Sequence, residues 1–101
     1  MKRPTSASIK LASKRLGEHV TTWRKLHEMP AQELADRANI SRTTLYRLEK
    51  GDPSVGLEAL LGVCRVLGVL DSLVESIDPY ESDLGRARAD WLLPQRVRRK
   101  K

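Results

Sequence analysis

The 101-residue chain has no Phe, a single Cys and only four aromatic residues, two Trp and two Tyr. A core built without Phe has to come from Leu, Val, Ile and Ala, a palette that leans toward helix. A lone Cys64 excludes an internal disulfide. Two histidines, His19 and His27, with no Cys or carboxylate at ligand spacing leave no metal site and no cofactor to expect. The longest uncharged apolar stretch, residues 59–64, is far too short to span a bilayer, and no apolar run follows Lys2 and Arg3 as a secretory signal requires. No membrane association is expected, and the expected location is cytoplasmic. Also missing are a Gly-rich phosphate loop, a nucleophile with a neighbouring base, and paired carboxylates in an apolar setting, so the chain is not read as an enzyme.

Acidic residues are absent from both ends. Residues 1–15 carry five basic residues and no acid, and residues 95–101 carry Arg96, Arg98, Arg99, Lys100 and Lys101 with no acid. The chain as a whole is +6, and its surplus of acid lies late: six carboxylates against Arg86 and Arg88 across residues 71–90. Basic arms suit a polyanion, since each Lys or Arg that meets a phosphate releases counterions. Short runs of this kind also serve simply as solvated tails.

Apolar spacing organises the rest. A flexible basic leader over residues 1–9 precedes a first helix from residue 10 or 13 to 28, with Leu16, Val20, Trp23 and Leu26 or His27 as its stripe. Pro30 separates it from a second helix over 31–38 that turns Leu34, Ala35 and Ala38 inward. Asn39, tolerant of a positive φ, makes the turn with Ile40. Ser41 then caps a third helix over 42–50, which Gly51 ends. On that helix only Leu45 and Leu48 read as buried, leaving Arg42, Thr43, Thr44, Tyr46, Arg47 and Lys50 outside.

After a Gly51-Asp52-Pro53-Ser54 turn, a fourth helix over 55–67 places Leu57, Leu60, Leu61, Cys64 and Leu67 on one face and closes at Gly68. Leu70, Leu73, Val74 and Ile77 form a shorter fifth stripe before Asp78-Pro79. Residues 82–92 either form one more helix or dock only on a partner, and 93–97 hold at most one short strand. The class is all-α, with a domain over 10–78 and an extension over 79–101. Cys64 and Trp23 read as core, and His19 and His27 as surface or helix-edge residues. Trp91, with Leu92 and Leu93, stands outside the bundle beside a basic run, as a partner site or dimer seam does.

A short helix, a tight turn and a second short helix with a polar outer face is the arrangement a helix needs to read the major groove. Arg42 and Arg47 can each offer a bidentate fork to a guanine edge, and Thr43 and Thr44 can bond a base or phosphate or pack on a thymine methyl. Tyr46 can donate to a phosphate.

Residues 26–51, LHEMPAQELADRANISRTTLYRLEKG, resemble the helix-turn-helix core of the Xre family, to which the phage lambda repressor belongs. Glu33, Leu34, Ala35, Ser41, Leu45, Leu48, Glu49 and Gly51 fall in register with that pattern, and the similarity continues to residue 69. The resemblance implies a five-helix lambda-repressor-like bundle with a C-terminal extension, a homodimer that binds a pseudo-palindromic operator in double-stranded DNA and represses transcription. It implies base contacts from Arg42, Thr43 and Arg47, backbone or secondary contacts from Gln32, Ser41, Thr44, Tyr46 and Lys50, and a bracing salt bridge between Arg24 and Glu49. Pro30 and Ala31 depart from the pattern. They stand where the family has a polar cap and a Gln that anchors a phosphate, and Gln32 is the available substitute.

Residues 78–100, DPYESDLGRARADWLLPQRVRRK, resemble the tail of HipB-like regulators. That likeness implies an antitoxin that represses its own operon and binds a HipA-like Ser/Thr kinase toxin, with Leu70, Leu73, Ile77, Trp91 and Leu92 as the dimer or partner surface. The alternatives are an interaction module that neutralises a toxin without binding DNA, and a stand-alone Xre-type repressor.

Overall fold

The computed structural model describes residues 3–93. They form α1 (Ala7–Leu26), α2 (Ala31–Ala38), α3 (Arg42–Glu49), α4 (Leu57–Leu67), α5 (Leu70–Glu75), a 3-10 turn (Pro79–Glu81) and α6 (Asp83–Leu92). No strand occurs among the described residues, and the all-α class stands. The chain divides into two compact units, one ending at Leu70 and the other beginning at Asp71.

Four helices of the first unit end in the same way, and these stops set the angles between them. At each stop a residue in the left-handed region donates its N–H to a carbonyl three residues back, and the next residue donates to one five back. After α2 the left-handed residue is Asn39, whose N–H reaches the Asp36 carbonyl while Ile40 reaches Ala35. After α3 it is Gly51, with Asp52 reaching Arg47, and after α4 it is Gly68, with Val69 reaching Cys64. After α1 it is Glu28, at φ +54°, with Met29 reaching the Arg24 carbonyl. A glutamate there carries a steric cost that Asn or Gly would not, which is why its sequence gives no stop signal.

The core of this unit is aliphatic. Leu34, Leu45 and Val63 are fully buried, and Val20, Met29, Ala35, Ala38, Leu48 and Leu67 pack around them. Cys64 is buried as well, and burial pushes its thiol pKa up, as an inert core thiol requires. α1 meets α3 at very close range. A Cβ on Gly17 would lie 2.5 Å from the Leu48 carbonyl oxygen and 2.6 Å from that of Glu49, so only glycine lets the two backbones approach.

Several expectations need correction. α1 begins at Ala7 because the Ser6 hydroxyl accepts from the Ile9 N–H, so the last residues of the expected leader are helical. Trp23 is 43% exposed and Leu26 is exposed too; the buried face of α1 instead runs through Gly17 and Val20 to the half-buried Leu16 and Arg24. Two of those positions carry no apolar side chain, which hid the stripe. α4 starts at Leu57, not 55, with Leu57 itself 68% exposed and Val63 in the core instead. α5 stops at Glu75, leaving Ile77 beyond it and 83% exposed. There the Ser76 hydroxyl donates to the Leu73 carbonyl and the Asp78 carboxylate accepts from the Tyr80 N–H to start the 3-10 turn.

In the second unit, residues 82–92 resolve as a helix, the first of the two alternatives. Ser82 caps α6 by accepting from the Gly85 N–H, and α6 packs on the 3-10 turn, where Arg86 donates to the Tyr80 carbonyl. Leu93 is its extended C-cap, and the expected strand from residue 94 onward lies outside the described residues.

Candidate nucleic-acid interface

The eight residues of α3 sort by face. Leu45 and Leu48 point into the core; Arg42, Thr43 and Tyr46 are exposed; Thr44, Arg47 and Glu49 are half-buried. Ser41 fixes the start of the helix: its hydroxyl accepts from the Thr44 N–H at 3.0 Å and donates to the Thr44 hydroxyl at 2.9 Å. Both side chains are thereby held at the N-terminal tip of α3.

The far end of α3 is held by Arg24 and Glu49. The guanidinium donates through Nε to Oε2 at 2.8 Å and through Nη2 to Oε1 at 3.1 Å, and through Nη1 to the Met29 carbonyl at 3.2 Å. Hydrogen bonding to the Glu49 carboxylate raises the Arg24 pKa above its ordinary value despite burial, which acts the other way. The side chains are 16% and 13% exposed, so the pair is a planar two-bond brace between α1 and α3.

The other expected contacts are placed as follows. Gln32 is exposed on α2, donating to the Asp36 carboxylate at 2.9 Å and accepting from Arg42 Nη1 at 3.5 Å. It thus links α2 to the outer face of α3. Pro30 gives α2 an extended N-cap without a side-chain hydrogen bond. The Lys50 ammonium lies 5.4 Å from the centre of the Tyr46 ring, over its face. Arg47, in contrast, is not held outward. Its Nε donates to Asp52 Oδ2 at 2.8 Å and its Nη2 to the Ser54 hydroxyl at 2.7 Å. Among the partner-surface residues, Leu70 and Leu73 are half-buried while Ile77, Trp91 and Leu92 are exposed. The tail residues Arg96, Arg98, Arg99, Lys100 and Lys101 lie outside the described residues.

Sequence reasoning missed two features. Lys25 joins Arg42, Tyr46 and Lys50 around a cleft of about 300 Å³ that the Arg24–Glu49 pair also lines, so three cations besides Arg24 share one concavity beside α3. A lone lysine in the last turn of α1 carries no motif. Asp52 was read only as a turn residue. Its carboxylate accepts from the Ser54 hydroxyl, from Arg47 and from the Ser54 backbone N–H, which together hold it well below the usual carboxylate range. The Asp-x-Ser spacing was the available signal.

Among the described residues no helix is long and apolar enough to cross a membrane, and no group of three His, Cys, Asp or Glu side chains is placed to hold a metal ion. The profile of the helix-turn-helix family matches residues 20–71, from α1 to the start of α5. The chain therefore belongs to the helix-turn-helix family of the Xre and lambda-repressor-like kind, a family of DNA-binding transcription regulators. No curated protein matches the sequence, and no solved structure matches it.

Proposed function

We propose that the chain is a sequence-specific transcriptional repressor that binds a pseudo-palindromic operator as a homodimer and serves as the antitoxin of a HipBA-like operon. The observation that carries the DNA-binding part is the division of α3. Leu45 and Leu48 and the Arg24–Glu49 brace fix the helix from behind, while Arg42, Thr43 and Tyr46 are left exposed in front. Arg42 and Thr43 meet base edges near the N-terminus of the helix; Ser41, Thr44, Tyr46, Lys50, Gln32 and Lys25 lie alongside for the phosphates. One such helix touches few base pairs, so two copies about 34 Å apart supply the specificity.

What supports the partner role is the tail likeness to HipB-like regulators together with exposed apolar side chains. Trp91 is 85% exposed, and Ile77, Leu84 and Leu92 are exposed as well. Aromatic and aliphatic groups of this kind are what a dimer seam or a HipA-like kinase toxin covers.

Fluorescence anisotropy with duplex DNA from upstream of the protein's own gene tests the first part. Wild type binds with a steep salt dependence, and Arg42→Ala loses about 1–3 kcal/mol and relaxes base preference. Absence of binding at low salt overturns it. Co-purification with a co-expressed HipA-like kinase tests the second part, in which Trp91→Ala releases the kinase. A chain that holds the kinase and ignores DNA is the pure interaction module instead.

A further inference from the structure

Arg47 is the residue whose surroundings fit its expected role least. Its guanidinium is half-exposed, yet two of its donor groups are spent within five to seven residues of sequence, on Asp52 and Ser54. The ring is closed by Ser54, whose hydroxyl accepts from Arg47 and donates to Asp52 at 2.7 Å while its backbone N–H donates to the same carboxylate oxygen at 2.8 Å. The backbone repeats the link, with the Asp52 N–H donating to the Arg47 carbonyl at 2.9 Å. Arg47 thus ties the last turn of α3 to the loop that leads into α4.

Resting on the DNA-binding function proposed above, we infer that Arg47 is a positioning residue for operator binding, which neutralises Asp52 and fixes the α3–α4 loop, and that base discrimination is carried by Arg42 and Thr43. The Nη1–Nη2 edge of Arg47 stays open while these bonds hold, but a fork on guanine through the Nε–Nη2 edge has to give up both. That leaves Asp52 as an uncompensated carboxylate one side chain away from a helix lying in the groove, where it faces phosphates of like sign. Breaking the bonds therefore works against docking on every sequence, whereas keeping them lets the loop come close to the backbone. The two roles differ in what they predict. A base reader changes the ratio of specific to non-specific affinity; a residue that silences a nearby carboxylate changes both affinities together.

The experiment is selection from a randomised duplex pool with wild type, Arg47→Gln and Arg47→Gln/Asp52→Asn, followed by anisotropy on the selected and a scrambled duplex. Melting curves confirm that each variant is folded. The expected result is that Arg47→Gln weakens binding to both duplexes by a similar factor and that adding Asp52→Asn restores most of the loss. Both variants also enrich the sequence wild type enriches. A changed base at one position, with the specificity ratio down roughly five- to 150-fold and no rescue by Asp52→Asn, overturns the inference and returns Arg47 to the base readers. Should Arg47→Gln alone not fold, the double variant, which removes both charges, decides the matter through the sequence it selects. Wild type enriching no sequence at all is a different failure, which removes the DNA-binding function itself and this inference with it.

Discussion

Replacing Glu49 with Ala is the most direct probe of what holds the recognition helix. The carboxylate accepts two charge-assisted hydrogen bonds from Arg24, and the substitution strands a guanidinium that is 16% exposed, with only the Met29 carbonyl left to it. Removing one partner of a fully buried pair costs roughly 3–5 kcal/mol. Water regains some access here, so about 2–4 kcal/mol is expected, or a fall in Tm of roughly 10–25 °C for a domain of this size. Urea unfolding of the full chain followed by far-ultraviolet circular dichroism measures it. The companion variant Arg24→Met/Glu49→Met, which leaves no charge unpaired, loses less than Glu49→Ala does. Two outcomes refute the reasoning: a loss for Glu49→Ala below about 0.5 kcal/mol, as for a surface pair, or single-variant losses that simply add in the double.

Gly17→Ala forces its new methyl against the Leu48 and Glu49 carbonyls, which no side-chain rotation relieves, and is expected to destabilise by about 1–3 kcal/mol in the same urea assay. Glu28→Gly removes the cost of a left-handed glutamate and raises stability by about 0.5–1 kcal/mol, readable as a higher Tm. The depressed Asp52 pKa fixes a pH dependence. A carboxyl whose folded value lies below its unfolded value of about 4 stabilises fully above that value and loses its contribution as pH falls toward the folded one. Stability against pH below about 4 is therefore steeper for wild type than for Asp52→Asn, and superimposable slopes from urea titrations at several pH values contradict the ring of bonds around Asp52.

The helix-turn-helix core was legible because independent signals coincide there. Leu34, Ala35 and Ala38 give the period of α2, Asn39 tolerates the left-handed stop, Ser41 caps α3, and Leu45 and Leu48 leave it one buried edge. α1 was harder for a physical reason. Its inward face contains Gly17, chosen for having no side chain, and Arg24, whose charge is cancelled by a residue far along the chain. Hydrophobic spacing therefore selected Trp23 and Leu26, which are exposed. In the candidate site, residue type identifies the donors, but the partner each donor takes is a matter of geometry. Arg42 and Arg47 look equivalent in the sequence; the loop that brings Asp52 back to Arg47 makes them different.

The way α3 is anchored also bears on how such a protein changes its target. Attachment to the rest of the molecule is lodged in Leu45, Arg47, Leu48, Glu49 and the glycine that follows the helix, all buried or half-buried, which leaves the exposed positions 42, 43 and 46 free to vary with least disturbance of the scaffold. On the operator-binding role proposed above, new operators are then within reach of a handful of codon changes, and related regulators sharing one cell can diverge in address while keeping an interchangeable frame.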